Sequence, residues 1–146
     1  MDARKVALVQ DSFEKVVPMG VQVAELFYAE LFAIDPSLRS MFPADLMSQQ
    51  KKLLSALSMI VRALDTPEKI LVSAEKLAVK HLEYNVRPEH YTYVGNALLR
   101  TLKKGLGDKF TPELCDAWTE AFRMLARVMK EAAYGRAPAR LGAAVG

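Results

Sequence analysis

The chain is predicted to fold as one all-α domain of six or more helices. Three observations predict it. Apolar residues recur at the helical period almost throughout, and no stretch alternates apolar and polar residues for long. Of seven glycines, Gly135, Gly142 and Gly146 lie in the last dozen residues, so the body of the chain has few helix breakers. Four prolines sit where a helix should begin, and 146 residues is one domain's worth of chain.

The elements follow from these signals. Apolar periodicity places helices near 3–17 and 19–33. Asp35-Pro36 opens a short helix over 36–41, because a capping carboxylate can accept from an orphan N–H and proline costs nothing at the first helical position. A further helix spans 46–64. Thr66-Pro67-Glu68 starts one over 67–82, and Thr111-Pro112-Glu113 one over 112–133. Arg87-Pro88-Glu89 starts the helix over 88–105 without a capping side chain of the usual type, and Gly105 and Gly107 mark its end. The globular domain is expected over 1–134. Residues 135–146 carry Ala, Gly, Arg and Pro with few large apolar groups, and read as a flexible tail.

Composition excludes several functions. A single cysteine, Cys115, leaves no intrachain disulfide and no paired-cysteine metal or redox motif. Two histidines, His81 and His90, are too few for most protein-only zinc sites. A net charge of +3, partly from Arg136 and Arg140, is too mild to suggest a nucleic-acid partner. No run of about 18 apolar residues appears, so no membrane span is expected. The start lacks a signal-peptide core, and the cytoplasm is the expected compartment.

Three polar residues interrupt otherwise apolar helix stripes. His81 ends the stripe Ile70, Ala74, Leu77; Gln49 begins the stripe Leu53, Leu57, Ile60, Leu64; Tyr28 shares a face with Ala24, Leu31 and Phe32. Each alone reads as a hydrogen-bonded or solvent-facing residue. Together they describe an apolar pocket with a few placed polar groups. One histidine cannot hold zinc, but it suffices for haem iron, since the porphyrin supplies four nitrogens.

At this point the sequence resembles the globins, specifically bacterial globins and the globin halves of flavohaemoglobins. The resemblance covers roughly residues 5–132. It is carried by Phe27-Tyr28-Ala-Glu-Leu31-Phe32, by the run from Asp35-Pro36 to Phe42, by Ser48-Gln49-Gln50, by Ala78-Val79-Lys80-His81 and by His90-Tyr91 with Val94-Gly95. The intervals agree without a gap: 14 residues from Tyr28 to Phe42, seven to Gln49 and 32 more to His81.

The resemblance implies a globin fold of six to eight helices around haem b. It implies His81 as the proximal iron ligand and Tyr28 with Gln49 as the distal pair. Phe42 and Leu53 then line the haem and gas site, with Val86, Tyr91 and Val94 on the proximal side. The implied ligands are O2, NO and CO. Oxygen storage, scavenging or transport is the implied role, with nitric oxide oxidation as the enzymatic alternative. No dinucleotide-binding motif is present, so such turnover would need a separate reductase. Lys52 and Lys80 read as solvated, Cys115 and Trp118 as core, and His90 as exposed. One departure stands out. Flavohaemoglobins polarise the proximal histidine with a tyrosine, matched by Tyr91, and a glutamate whose position falls near Ala133. The nearest acid, Glu131, is about 200° away around a helix, so the push on the iron ligand is incomplete.

Overall fold

In the computed structural model, which describes residues 1–83 and 86–135, every regular element is helical. The α-helices are α1 (Ala3–Val16), α2 (Gly20–Ile34), α3 (Met47–Arg62), α4 (Pro67–Glu83), α5 (Pro88–Leu106) and α6 (Pro112–Lys130). Three 3-10 turns, Val17–Met19, Pro36–Met41 and Gly107–Lys109, join them, and α6 widens into a π turn over Glu131–Gly135. The expected tail therefore falls almost wholly outside the described residues.

Most expected caps form. The Asp35 carboxylate accepts from the Ser37 N–H (3.0 Å) and the Thr111 hydroxyl accepts from the Leu114 N–H (3.2 Å). At the start of α4 the Thr66 hydroxyl donates to the neighbouring Asp65 carboxylate at 3.2 Å. The start of α5 differs. His90 Nδ1 accepts the Arg87 N–H at 3.0 Å, so this histidine is a half-buried capping residue rather than an exposed one. Helix α5 runs through Gly105 and stops at Gly107, whose φ of 58° suits glycine alone.

The main core joins α1, α2, α5 and α6 around Val9, Phe13, Phe27, Leu31, Leu102 and Trp118. Each such side chain contributes about 1.5–3 kcal/mol by leaving water. Trp118 is a core residue as expected, its indole N–H donating to Ser12 Oγ at 2.8 Å. Cys115 is only half-buried. Where α2 crosses α5, Glu30 is buried and bonded to Lys104, with Arg100 at 3.9 Å. Between α5 and α6, a Cβ on Gly95 would lie 2.8 Å from the Phe122 ring, so glycine permits that close approach.

One expectation about membranes needs correction. The helical run Ala3–Ile34 has an 18-residue window of mean hydropathy 1.3, long and apolar enough to cross a bilayer by composition. Counting uninterrupted apolar residues missed it, because a few charges interrupt the run without lowering its mean much. In this fold its apolar residues Val9, Phe13, Phe27 and Leu31 are committed to the core, and Glu30 is ion-paired with α5.

A second, smaller cluster places α4 against α6. It is built from Ala74 and Ala78 on α4, Tyr91 on α5, and Ala126, Met129 and Ala133 on α6 and its π turn. Helix α3 packs on α2 and α1 instead. Among the described residues, α3 and α4 share no extended contact and touch where Ser73 Oγ approaches Met59 Sδ at 3.6 Å. The two helices form a hairpin that is joined near its turn. Gln49 and His81 lie toward the far ends, away from that joint.

Candidate functional site

Tyr28 lies on α2, within the main core. It is 4% exposed and packed among rings: Phe27 edge-on at 5.1 Å, Phe42 edge-on at 5.4 Å and Phe32 at 6.0 Å. Its hydroxyl lies 3.5 Å from the Gln49 carbonyl, at the loose limit of a hydrogen bond. Burial pushes the phenol up from 10.0 to about 12, while a hydrogen bond with Gln49 pulls the other way. The group is therefore a neutral donor at any physiological pH. Gln49 is half-buried on the first turn of α3, and Leu53, one turn on, packs against the main core.

Phe42 follows the 3-10 turn and is half-buried against Phe32 and Tyr28. An arginine holds it there. Arg39 donates to the carbonyls of Phe42 (3.3 Å), Pro43 (2.9 Å) and Ala44 (2.9 Å), and its guanidinium lies 5.6 Å from the Phe32 ring centre. The sequence reading missed this residue. A polar side chain three residues before an aromatic and four before a proline was its only signal.

His81 lies in the last turn of α4. Its Nδ1 lies 2.6 Å from the Leu77 carbonyl one turn back. A carbonyl can only accept, so Nδ1 carries the proton and Nε2 keeps the lone pair. That is the tautomer a histidine needs to ligate a metal through Nε2, with its second nitrogen fixed by a hydrogen bond. No group of three or more His, Cys, Asp or Glu residues that could hold a metal ion by themselves occurs among the described residues. A metal here would need most of its ligands from a cofactor. The Val86 N–H donates to the His81 carbonyl at 3.1 Å, tying the chain after α4 back to the histidine.

The structure thus brings Tyr28, Phe42, Gln49, Leu53 and Val94 to the main core, and Val86 and Tyr91 to the smaller cluster beside α4. Lys52 and Lys80 are exposed, as expected. Ala133 is buried in the same cluster as Tyr91, and Glu131 is exposed. The described carboxylate nearest in sequence thus points to water, and the Nδ1 proton of His81 goes to a neutral carbonyl.

Comparison with known proteins bears on this arrangement. The globin family model matches residues 25–129. The chain is 32% identical over 132 residues to a flavohemoprotein of Xylella fastidiosa, and 32% identical over 142 residues to one of Bordetella pertussis. These matches cover 86% and 93% of this chain but 32% and 35% of those proteins, so the chain spans about a third of their length. Among solved structures, a bacterial globin from Campylobacter jejuni superimposes with a TM-score of 0.82 at 22% identity, covering 94% of this chain and 99% of that one. An engineered carbene transferase, described as a proposed nitric oxide dioxygenase from Rhodothermus marinus, gives 0.84 at 27% identity, covering 97% and 99%.

Proposed function

The chain belongs to the globin family, whose cofactor is haem, and we propose that it binds oxygen reversibly for storage, scavenging or transport. The haem supplies an iron centre that takes diatomic gases. His81 Nε2 would hold that iron, with Val86 and Tyr91 beside it. Phe42, Leu53 and Val94 would keep water away from the pocket, and Tyr28 and Gln49 would donate hydrogen bonds to the gas. A donor of this kind gains strength in a dry, low-dielectric site.

The observation that carries the reading is the 2.6 Å bond from His81 Nδ1 to the Leu77 carbonyl. It selects the iron-binding tautomer. The partner is a carbonyl and not a carboxylate, so it withdraws less of the Nδ1 proton. A histidine with so weak a partner would suit reversible gas binding better than cleavage of an O–O bond.

The test replaces one donor at a time. Tyr28→Phe and Gln49→Leu should each cost about 1–3 kcal/mol of gas stabilisation, which is about 5- to 150-fold faster oxygen release. Carbon monoxide gains little charge on its outer atom, so its release should change much less. Stopped-flow release of both gases reads this. Equal changes for the two would show altered packing and sink the hydrogen-bond role.

A second reading is nitric oxide oxidation with a separate reductase. It is favoured by the Rhodothermus marinus relative, and by the flavohemoproteins, whose match to this chain covers about a third of their length. Sustained nitric oxide consumption by the holoprotein with an added flavin reductase and NADPH would support it; a single turnover ending in the ferric state would support oxygen binding alone.

A further inference from the structure

Helix α6 ends on a lysine set among apolar residues. Lys130 follows Ala126 by one turn and precedes Ala133 by three residues, and both alanines are buried in the smaller cluster. Its stem therefore leaves from the apolar flank of α6, and the residue is half-buried, as a lysine is when its methylenes cover apolar surface. The ammonium comes to rest over an aromatic face: Lys130 Nζ is 5.7 Å from the centre of the Tyr91 ring. The face of such a ring is negative and attracts a cation within about 6 Å. None of the ion pairs among the described residues includes Lys130.

Tyr91 connects this charge to the histidine turn. It is 6% exposed and lies in the cluster that holds Ala78, with Leu77 and Val86 packed against it. Leu77 supplies the carbonyl that takes the His81 Nδ1 proton, and the Val86 N–H donates to the His81 carbonyl. Lys130 thus places a positive charge on the cluster that carries the histidine turn. The neighbouring charges Lys76, Lys80, Arg127 and Glu131 are exposed, and the half-buried Glu75 stands six residues before His81. The resemblance to flavohaemoglobins puts a carboxylate near Ala133. Here that position holds a buried methyl group, and the half-buried charge three residues earlier has the opposite sign.

We propose that Lys130 is a positioning residue of the proximal side, acting through Tyr91, and that its fixed positive charge biases a bound haem toward the ferrous state. The inference rests on the proposed reading of His81 as the iron ligand. Taking an electron from the iron adds a positive charge to the haem, and a nearby cation opposes that by Coulomb repulsion. A half-buried ammonium is screened less than a free surface lysine. The same charge opposes anionic character on the imidazole, so it works against strong donation from His81 to the iron. Ferrous iron is the state that takes up oxygen, and the bias serves the reversible binding proposed above.

The test varies the charge at this one position in the haem-loaded protein. Midpoint potentials are measured by spectroelectrochemical titration for the parent, Lys130→Arg, Lys130→Met and Lys130→Glu. Lys130→Met keeps an apolar stem and removes the charge. At a fixed potential its ferric-to-ferrous ratio should rise about three- to tenfold, as for a partly screened unit charge; tenfold is about 59 mV for one electron. Lys130→Glu should move further the same way. Lys130→Arg keeps a cation for the ring and should stay within about twofold of the parent. The iron–histidine stretch of the ferrous protein, read by resonance Raman, should rise in the same order of charge. Potentials that do not change overturn the proposal, and so do potentials that shift alike in all three variants, which would point to packing. A parent that takes up no haem, or a His81→Ala variant that keeps the parent spectrum, overturns the reading of His81 and this inference with it. An unchanged potential with haem held by His81 overturns this inference alone.

Discussion

Tyr28 is gripped by three phenylalanine rings on a core shared by four helices, whereas His81 rides on a helix whose buried contacts with α6 include two alanines, Ala74 and Ala78. The surroundings of the two residues thus differ: large rings in the main core for Tyr28, a smaller cluster with four alanines among its buried members for α4. Burial free energy scales with the apolar surface buried, so the Tyr28 side is built to stand alone. The His81 side gains less from packing on α6 and would gain most from a bound haem. On the proposed function this is a division of labour: one wall is pre-built, and the other would be completed by the haem.

The sharpest way to break this comparison is at the histidine itself. His81→Ala should abolish normal haem retention, while His90→Ala should keep the parent visible spectrum. The reverse result would remove His81 from the iron. A smaller effect is expected at the alanine seam. Ala78 is fully buried, and Ala78→Leu forces extra methylenes against α6, which typically costs about 1–3 kcal/mol. Chemical denaturation should show that loss. Haem should also dissociate faster, with oxygen release little changed, because the seam is remote from Tyr28. A parallel change in oxygen release would mean that the two walls are mechanically one.

The next prediction concerns alkaline pH. The Tyr28 phenol is raised from 10.0 to about 12 in the folded protein, so the fold holds its proton more tightly than the unfolded chain does. That contribution is fully present below about pH 10 and is lost as pH rises through about 12. A rise of that size contributes at most about 2.7 kcal/mol. Tyr28→Phe should flatten the stability curve across this window relative to the parent; identical curves would show that the phenol is not protected by the fold. The smallest effect belongs to the α5 cap. His90→Ala removes the acceptor for the Arg87 N–H and should cost about 1 kcal/mol in denaturation.

Much of this was legible from residue order. The helical period and the proline starts located α1 to α6, and the spacing from Tyr28 to Phe42 to Gln49 to His81 carried the resemblance to the globin family, to which the chain belongs. Local signals suffice there because a cap or a stripe is set by residues within a turn of each other. What was hidden depends on distance in space. His90 is a cap because its ring folds back on Arg87, which no list of favoured capping residues indicates. The π turn at Glu131–Gly135 has no composition of its own. The gap between α3 and α4 follows from which helices each chooses instead, and periodicity alone does not encode that choice.

Arg39 has a consequence in terms of conformational entropy. An irregular segment such as 42–44 ordinarily loses about 1–2 kcal/mol of backbone freedom per residue when a ligand orders it. Here three carbonyls in a row are already bound by one guanidinium, and that planar group is in turn braced on the Phe32 ring. The ordering cost is met at folding, before any haem arrives. Phe42 is therefore already in place, and if it meets the haem as proposed, binding would not have to arrest the loop that carries it.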